Sequence, residues 1–198
     1  MRLDRAVLDV APDLLGCLLV AGGVTVRLTE VEAYAGVGED PGSHAHRGRT
    51  PRTAVMFGPA GRLYVYFTYG LHWCANVVTG TEGSAAAVLL RAGEVVDGLP
   101  GARARRPGST DRDLCRGPAR LAKALALDGS HLGLDVIDPS SPVRLLPPTS
   151  PYDEDRLRTG PRVGVSGAGS AIPWRFWLAD EPTVSPYRAA IPRRRLSG

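Results

Sequence analysis

Two glutamates and a tyrosine recur at every second position in VRLTEVEAYAG, residues 26–36: Glu30, Glu32 and Tyr34. Strand side chains alternate from face to face. A strand over 24–34 therefore puts Val24, Val26, Leu28, Glu30, Glu32 and Tyr34 on one face, and Thr25, Arg27, Thr29, Val31 and Ala33 on the other. The apolar face turns acidic toward its end. A carboxylate there is costly unless it is paired or wet. Either the strand leaves the core near Thr29, or this face opens into a pocket. In the second case Glu32 is a partly buried carboxylate poised as a base, with the phenol of Tyr34 beside it.

A second stretch, RLYVYFTY at 62–69, is aromatic and β-branched and reads as another strand. Tyr64 and Tyr66 share a face, and Tyr69 ends the strand before Gly70. Aromatic residues are only 6% of the chain, so their density here separates this strand from the rest. It is either an ordinary aromatic strand or a platform for a planar base, whose faces stack while nearby arginines receive phosphate. Asn76, on the strand expected over 72–78, could test a base edge. The polar loop 35–53 carries His44, His46, Arg47, Arg49 and Arg52. A second basic stretch, 99–113, carries Arg103, Arg105, Arg106 and Arg112 and reads as a mobile loop. Each of these arginines is either a phosphate contact or generic solvated charge.

The elements that must position these groups fit one mixed α/β (α+β) domain over 1–198. A curved, largely antiparallel sheet would carry the pocket, with helices packed on one side and a basic tail from about 187. The 198 residues suit a single domain, and 24 glycines and 17 prolines disfavour long helices. A short helix is expected after Val10, with Pro12 in its first turn and Leu14, Leu15, Leu18 and Leu19 on its apolar face. Residues 85–96 read as a central strand, and 115–127 as the clearest helix, with Pro118 near its start and a stripe of Leu121, Ala122 and Leu125. Residues 162–166 and 174–180 read as the last two strands. Formal charge is +4, carried almost wholly by arginine, since Lys123 is the only lysine. That balance favours an anionic partner. Cys17, Cys74 and Cys115 have neither disulfide nor metal-ligand spacing, and the four histidines include only one close pair. No metal, cofactor, signal peptide or membrane span is expected, and the chain is expected to be cytoplasmic.

In their order and spacing these segments resemble the alkyladenine (methylpurine) DNA glycosylases. The likeness covers TEVEAY (29–34), SHAHRGRTPR (43–52), MFGPAGRLYVYFTYG (56–70) and HWCANV (72–77). It continues through VLLRA (88–92), LCRGP (114–118) and PRVGV (161–165). The resemblance implies that Glu32 deprotonates the attacking water and that Arg91 helps to hold that water. It implies that Tyr34 and Tyr66 stack on either face of a flipped base, and that His44 lines the pocket. It further implies that Asn76 crowds guanine's exocyclic amine, that a main-chain carbonyl near Val163 reads the base edge, and that Tyr69 wedges into the duplex. One residue more than in the vertebrate form separates Tyr34 from His44, which makes His46 a competitor for the histidine role. Two more separate Asn76 from Arg91. The implied activity is monofunctional: alkylated or deaminated purines are flipped from double-stranded DNA by a monomer and their N-glycosidic bond is hydrolysed, leaving an abasic site. Lysine poverty agrees, because strand-nicking glycosylases attack with an amine, and Lys123 reads as a solvated position on a helix. Two rivals remain: a non-catalytic nucleic-acid-binding module, which would not need Glu32, and a hydrolase of free nucleosides, which would not need a wedge or a basic rim.

Overall fold

The computed structural model describes residues 1–68 and 70–190. Tyr69 and the part of the basic tail beyond 190 lie outside the described residues. Eight strands form one curled antiparallel sheet: β1 Leu18–Ala21, β2 Val24–Tyr34, β3 Leu63–Thr68, β4 His72–Thr79, β5 Ala86–Asp97, β6 Arg144–Leu146, β7 Leu157–Gly160 and β8 Arg175–Leu178. Among the described residues three short α-helices complete the α+β fold: α1 Val7–Asp13, α2 Leu99–Arg105 and α3 Pro118–Ala124. The strand order is β3-β4-β5-β2-β1-β6. The edge of β2 away from β5 is divided. Its first half pairs with β1, and Glu30, Val31 and Glu32 pair with β8, which in turn pairs with β7.

One apolar cluster joins Val10 and Ala11 of α1, Leu121 and Ala122 of α3, and the inner face of β2, β4 and β5. The stripe expected on α3 is buried, Leu125 included. Each leucine so enclosed contributes roughly 2 kcal/mol of hydrophobic free energy.

Strict alternation along β2 fails at Thr29. Leu28 pairs with Gly93 and Glu30 with Ala92, so Thr29 has no partner on β5. One step on, Val31 pairs with Leu90, which leaves Arg91 unpaired on β5. A bulge of this kind rotates the chain by one face. Val24, Val26 and Leu28 face the core before it, and Val31 and Ala33 take over after it. The acidic residues therefore do not share a face with the early valines. Glu30, Glu32 and Arg91 turn away from the apolar cluster together.

Three expected elements differ. Helix α1 begins at Val7 and holds Pro12 near its end. Leu18 and Leu19 belong to β1, because Gly16 turns the chain at φ +81° and bonds its N–H to Leu28 O at 2.8 Å. The stretch 99–113 is not a loop throughout, since 99–105 is α2. Gly98 opens that helix at φ +74°, where a Cβ would lie 2.1 Å from Gly23 O. Arginines 103 and 105 fall in its last turn, where positive charge suits the helix dipole. Residues 162–166 are a loop laid against β2, with Gly164 at φ +73°, and the strand before β8 is β7. Among the described residues no helix is long and apolar enough to cross a membrane.

Candidate active site

The outward face of β3, β4 and β5 floors a cavity of about 560 Å³. That is the size range of small-molecule sites. Tyr34, His44, Tyr66, Asn76, Arg91 and Val163 all line it. Six candidates chosen from separate parts of the chain thus converge on one opening. Alternation on β3 brings Tyr64 and Tyr66 side by side, ring centroids 5.5 Å apart. The His44 ring stands edge-on to Tyr66 at 4.6 Å, and His44 Nδ1 lies 3.1 Å from the Tyr64 hydroxyl. His46 does not line this cavity, so geometry favours His44 over its neighbour. Burial, with help from Arg52, lowers the His44 imidazole pKa from its usual value. Asn76 donates from Nδ2 to Tyr64 O at 3.0 Å, which fixes its amide at the pocket floor.

Glu32 stands one hydrogen bond behind the wall. Its side chain is fully buried, and three cavity-lining groups touch it. Val163 N–H donates to Oε1 at 2.6 Å. The Tyr34 hydroxyl donates to Oε2 at 2.9 Å, and Arg91 Nη1 donates to the same oxygen at 3.2 Å. Burial raises the Glu32 pKa above the usual carboxylate value. Arg91, the Val163 N–H and the Tyr34 hydroxyl oppose that rise, and Glu30 adds to it. Burial also depresses Arg91, but Glu32 and Glu30 more than reverse this and its pKa is raised, so it stays charged.

Behind Tyr34 lies Arg162, its guanidinium carbon 4.5 Å from the ring centre. Arg162 forms a bidentate pair with buried Asp40 and donates to Ala33 O at 2.9 Å. Asp40 accepts from the N–H groups of Ala35 and Gly42 as well. One buried pair therefore ties the His44 loop, the Val163 loop and the Tyr34 ring together. Composition and periodicity give no signal for it, because its partners are 122 residues apart.

A family model described as methylpurine-DNA glycosylase (MPG) matches residues 1–182. The chain belongs to the methylpurine-DNA glycosylase family. Its class is thus that of the DNA N-glycosylases, hydrolases of DNA repair. Relatives from Streptomyces avermitilis, Frankia casuarinae and Nocardia farcinica each bear the name "Putative 3-methyladenine DNA glycosylase". They are 57%, 53% and 54% identical to this chain. The alignments cover 96%, 96% and 95% of it and 92% of each relative.

Seen in this glycosylase fold, the arginines divide into two groups. Arg47 and Arg49 stand exposed on the histidine loop, and Arg52 lies over the Tyr66 ring at 5.4 Å. The other four have partners within the protein, Arg112 with Asp113 Oδ2 at 3.4 Å. Arg103 is paired with Asp111 at 2.7 and 2.8 Å. Arg105 donates to Ala124 O at 2.7 Å and to Gly22 O, and Arg106 donates to Ser109 Oγ at 2.9 Å. Gly22 precedes β2, and Glu32 lies eight strand steps beyond Val24, about 25 Å at the usual rise. The Arg105 contacts hold α2 against the turn before β2 and the end of α3. Tyr69, expected as the wedge, lies outside the described residues; Thr68 and His72 on either side of the hairpin tip line the cavity.

Proposed function

We propose that this glycosylase takes a damaged purine out of duplex DNA into the cavity and hydrolyses its N-glycosidic bond, leaving an abasic site. One observation carries the reading: the Glu32 carboxylate is held by three groups that all wall the cavity. A water on the cavity side of the Glu32–Arg91 pair would give its proton to the carboxylate as it attacks C1′. The carboxylate charge would also stabilise the positive sugar that develops there. Removing a nucleotide from the stack costs a few kcal/mol. Stacking on Tyr34 and Tyr66 returns roughly 1–3 kcal/mol per ring face. A damaged base, weakly paired already, is the one for which these terms balance. His44 and the Val163 backbone are placed to read the base, and Asn76 to oppose guanine's exocyclic amine. The protein acts as a monomer on alkylated and deaminated purines, with Arg47, Arg49 and Arg52 toward phosphate. Lys123 is exposed on α3, away from the cavity lining, which supports water rather than an amine as nucleophile.

The test compares release of 3-methyladenine, 7-methylguanine, hypoxanthine and ethenoadenine from duplexes with hydrolysis of the same free nucleosides. Release from duplex is expected, with the strand intact until alkali is added. Equal activity on free nucleosides, or spontaneous nicking, would contradict the reading.

A pH profile gives an independent check. An N-alkylated purine is already cationic and needs no proton to leave, so its release should depend on Glu32 alone. Because burial holds the Glu32 pKa up, the carboxylate stays protonated and inactive to higher pH than an ordinary glutamate. Release of 3-methyladenine should therefore rise along one acid limb, centred above the ordinary glutamate value, and then level off. A limb at or below that value would count against Glu32 as the base.

A further inference from the structure

Behind the Glu32–Arg91 pair lies a second buried carboxylate that does not line the cavity. Glu30 is fully buried and accepts four hydrogen bonds. Oε1 takes Arg91 Nε at 2.8 Å, Arg175 Nε at 2.7 Å and Ser185 Oγ at 2.9 Å. Oε2 takes Ser185 N–H at 2.6 Å. Arg91 is thereby divided three ways: Nε to Glu30, Nη1 to Glu32, and Nη2 to Ser185 Oγ at 3.3 Å. Arg175 also binds Ser185 O at 2.7 Å, and its guanidinium lies over Trp177. Thr183 Oγ1 lies 2.9 Å from the hydroxyl of Thr29, the bulge residue of β2. Residues 183–185 thus form a strap across the bulge. They begin one residue beyond the stretch matched by the family model.

The cluster holds two carboxylates and two guanidiniums, so its formal charges cancel. A buried carboxylate must have its lone pairs filled. If Glu30 were short of donors, Arg91 would turn further toward it and away from Glu32. We propose that the 183–185 strap belongs to the catalytic apparatus and that Ser185 is a positioning residue. By filling Glu30 with two donors and holding the far edge of Arg91, it keeps one guanidinium nitrogen presented to Glu32. The proposal rests on Glu32 being the base.

The groups facing Glu32 are Glu30 and Tyr34 from its own strand, Arg91 from β5, Arg162 and the Val163 N–H from the neighbouring loop, and Tyr66 and Cys74 from β3 and β4. Arg175 from β8 and Ser185 act through Glu30. Two substitutions disturb this set in opposite senses. Ser185→Ala removes a donor from Glu30 and an acceptor from Arg91, so Arg91 shifts toward Glu30 and Glu32 protonates at higher pH. Glu30→Gln removes the competing negative charge, so Arg91 turns wholly to Glu32, which then protonates at lower pH.

The experiment measures single-turnover release of 3-methyladenine from methylated duplex DNA against pH. It uses the wild type, Ser185→Ala, Glu30→Gln and a Glu32→Gln control, each checked for folding by thermal melting. The acid limb is expected to move up in Ser185→Ala and down in Glu30→Gln. Plateau release in Ser185→Ala should fall roughly tenfold to a hundredfold, the scale of a small misplacement of a reacting group, with duplex affinity unchanged. If Ser185→Ala keeps the wild-type limb, whatever its rate, Ser185 is a packing residue only and the proposal is overturned. If Glu30→Gln does not fold, the limb of Ser185→Ala decides alone. If Glu32→Gln releases base like the wild type, the reading beneath is wrong and the proposal falls with it; that outcome is distinct from a silent Ser185→Ala beside an inactive Glu32→Gln.

Discussion

Glu32→Gln is expected to lower base release by about 10³–10⁴-fold while damaged duplex still binds with close to wild-type affinity. The amide oxygen can accept from Tyr34 and Arg91 where Oε2 does now, while its NH2 takes the Oε1 position and the Val163 N–H loses its acceptor. The amide cannot accept a proton from water, and it carries no charge to face the developing cation. General-base assistance alone is worth roughly 10²–10⁴-fold, and removing a preorganised electrostatic partner roughly 10²–10³-fold. The two losses overlap because one group supplies both, so the larger of them sets the scale. Binding draws on stacking and phosphate contacts that do not involve Glu32. The measurement is single-turnover release beside equilibrium binding to the same duplex. A variant that binds but does not release separates catalysis from recognition, and release at full rate would remove Glu32 from the mechanism. The fold itself weighs against a binding module without catalysis. A charge-balanced cluster of Glu30, Glu32, Arg91 and Arg175 has no purpose in stacking, and taking such ions out of water costs several kcal/mol each before pairing offsets it.

How far these features could be read from the chain depends on the range of the interaction that makes them. The antiparallel sheet, the strands β3 and β4 and the α3 stripe follow from local alternation and turn chemistry, and they stand where the pattern puts them. The β2 bulge does not. Its cause is an unpaired Thr29 set against the register of β5, and no window on one strand contains that information. Alternation therefore placed Glu30 and Glu32 beside Val24 and Val26, and the oddity of acids on an apolar face was the visible trace of the bulge. Individual site residues entered through resemblance, and the cavity brings Tyr34, His44, Tyr66, Asn76, Arg91 and Val163 together. Asp40, Arg162, Arg175 and Ser185 escaped, because each works through a partner 10 to 155 residues away. The basic stretch 99–113 was legible only as charge. Part of it is helix α2, and Asp111 and two backbone carbonyls lie within reach of its arginines, pairings that no local pattern announces.

The second large effect concerns the buried pair behind the stacking ring. Asp40→Ala is expected to destabilise the protein by about 3–5 kcal/mol, the usual cost of leaving a buried charge without its partner. For a domain of this size that corresponds to a fall in melting temperature of about 6–20 °C. Arg162 is 1% exposed and has no route to water from its present position. It is also tightly packed: a Cβ on Gly42 would lie 2.7 Å from its Nη2, and one on Gly169 would lie 3.3 Å away. The backbone N–H groups of Ala35 and Gly42 would lose their acceptor as well. Because the pair joins the Tyr34 ring to the loops bearing His44 and Val163, activity below the melting transition should also drop. A double variant, Asp40→Leu with Arg162→Met, separates charge from shape. It leaves no ion unpaired, so it should recover part of the lost stability, whereas the stacking wall lacks its guanidinium backing and release should stay impaired. Calorimetry and the 3-methyladenine assay on the two variants decide the matter. If Asp40→Ala melts within a degree or two of the wild type, Arg162 has found water, and the pocket wall is not held by this pair.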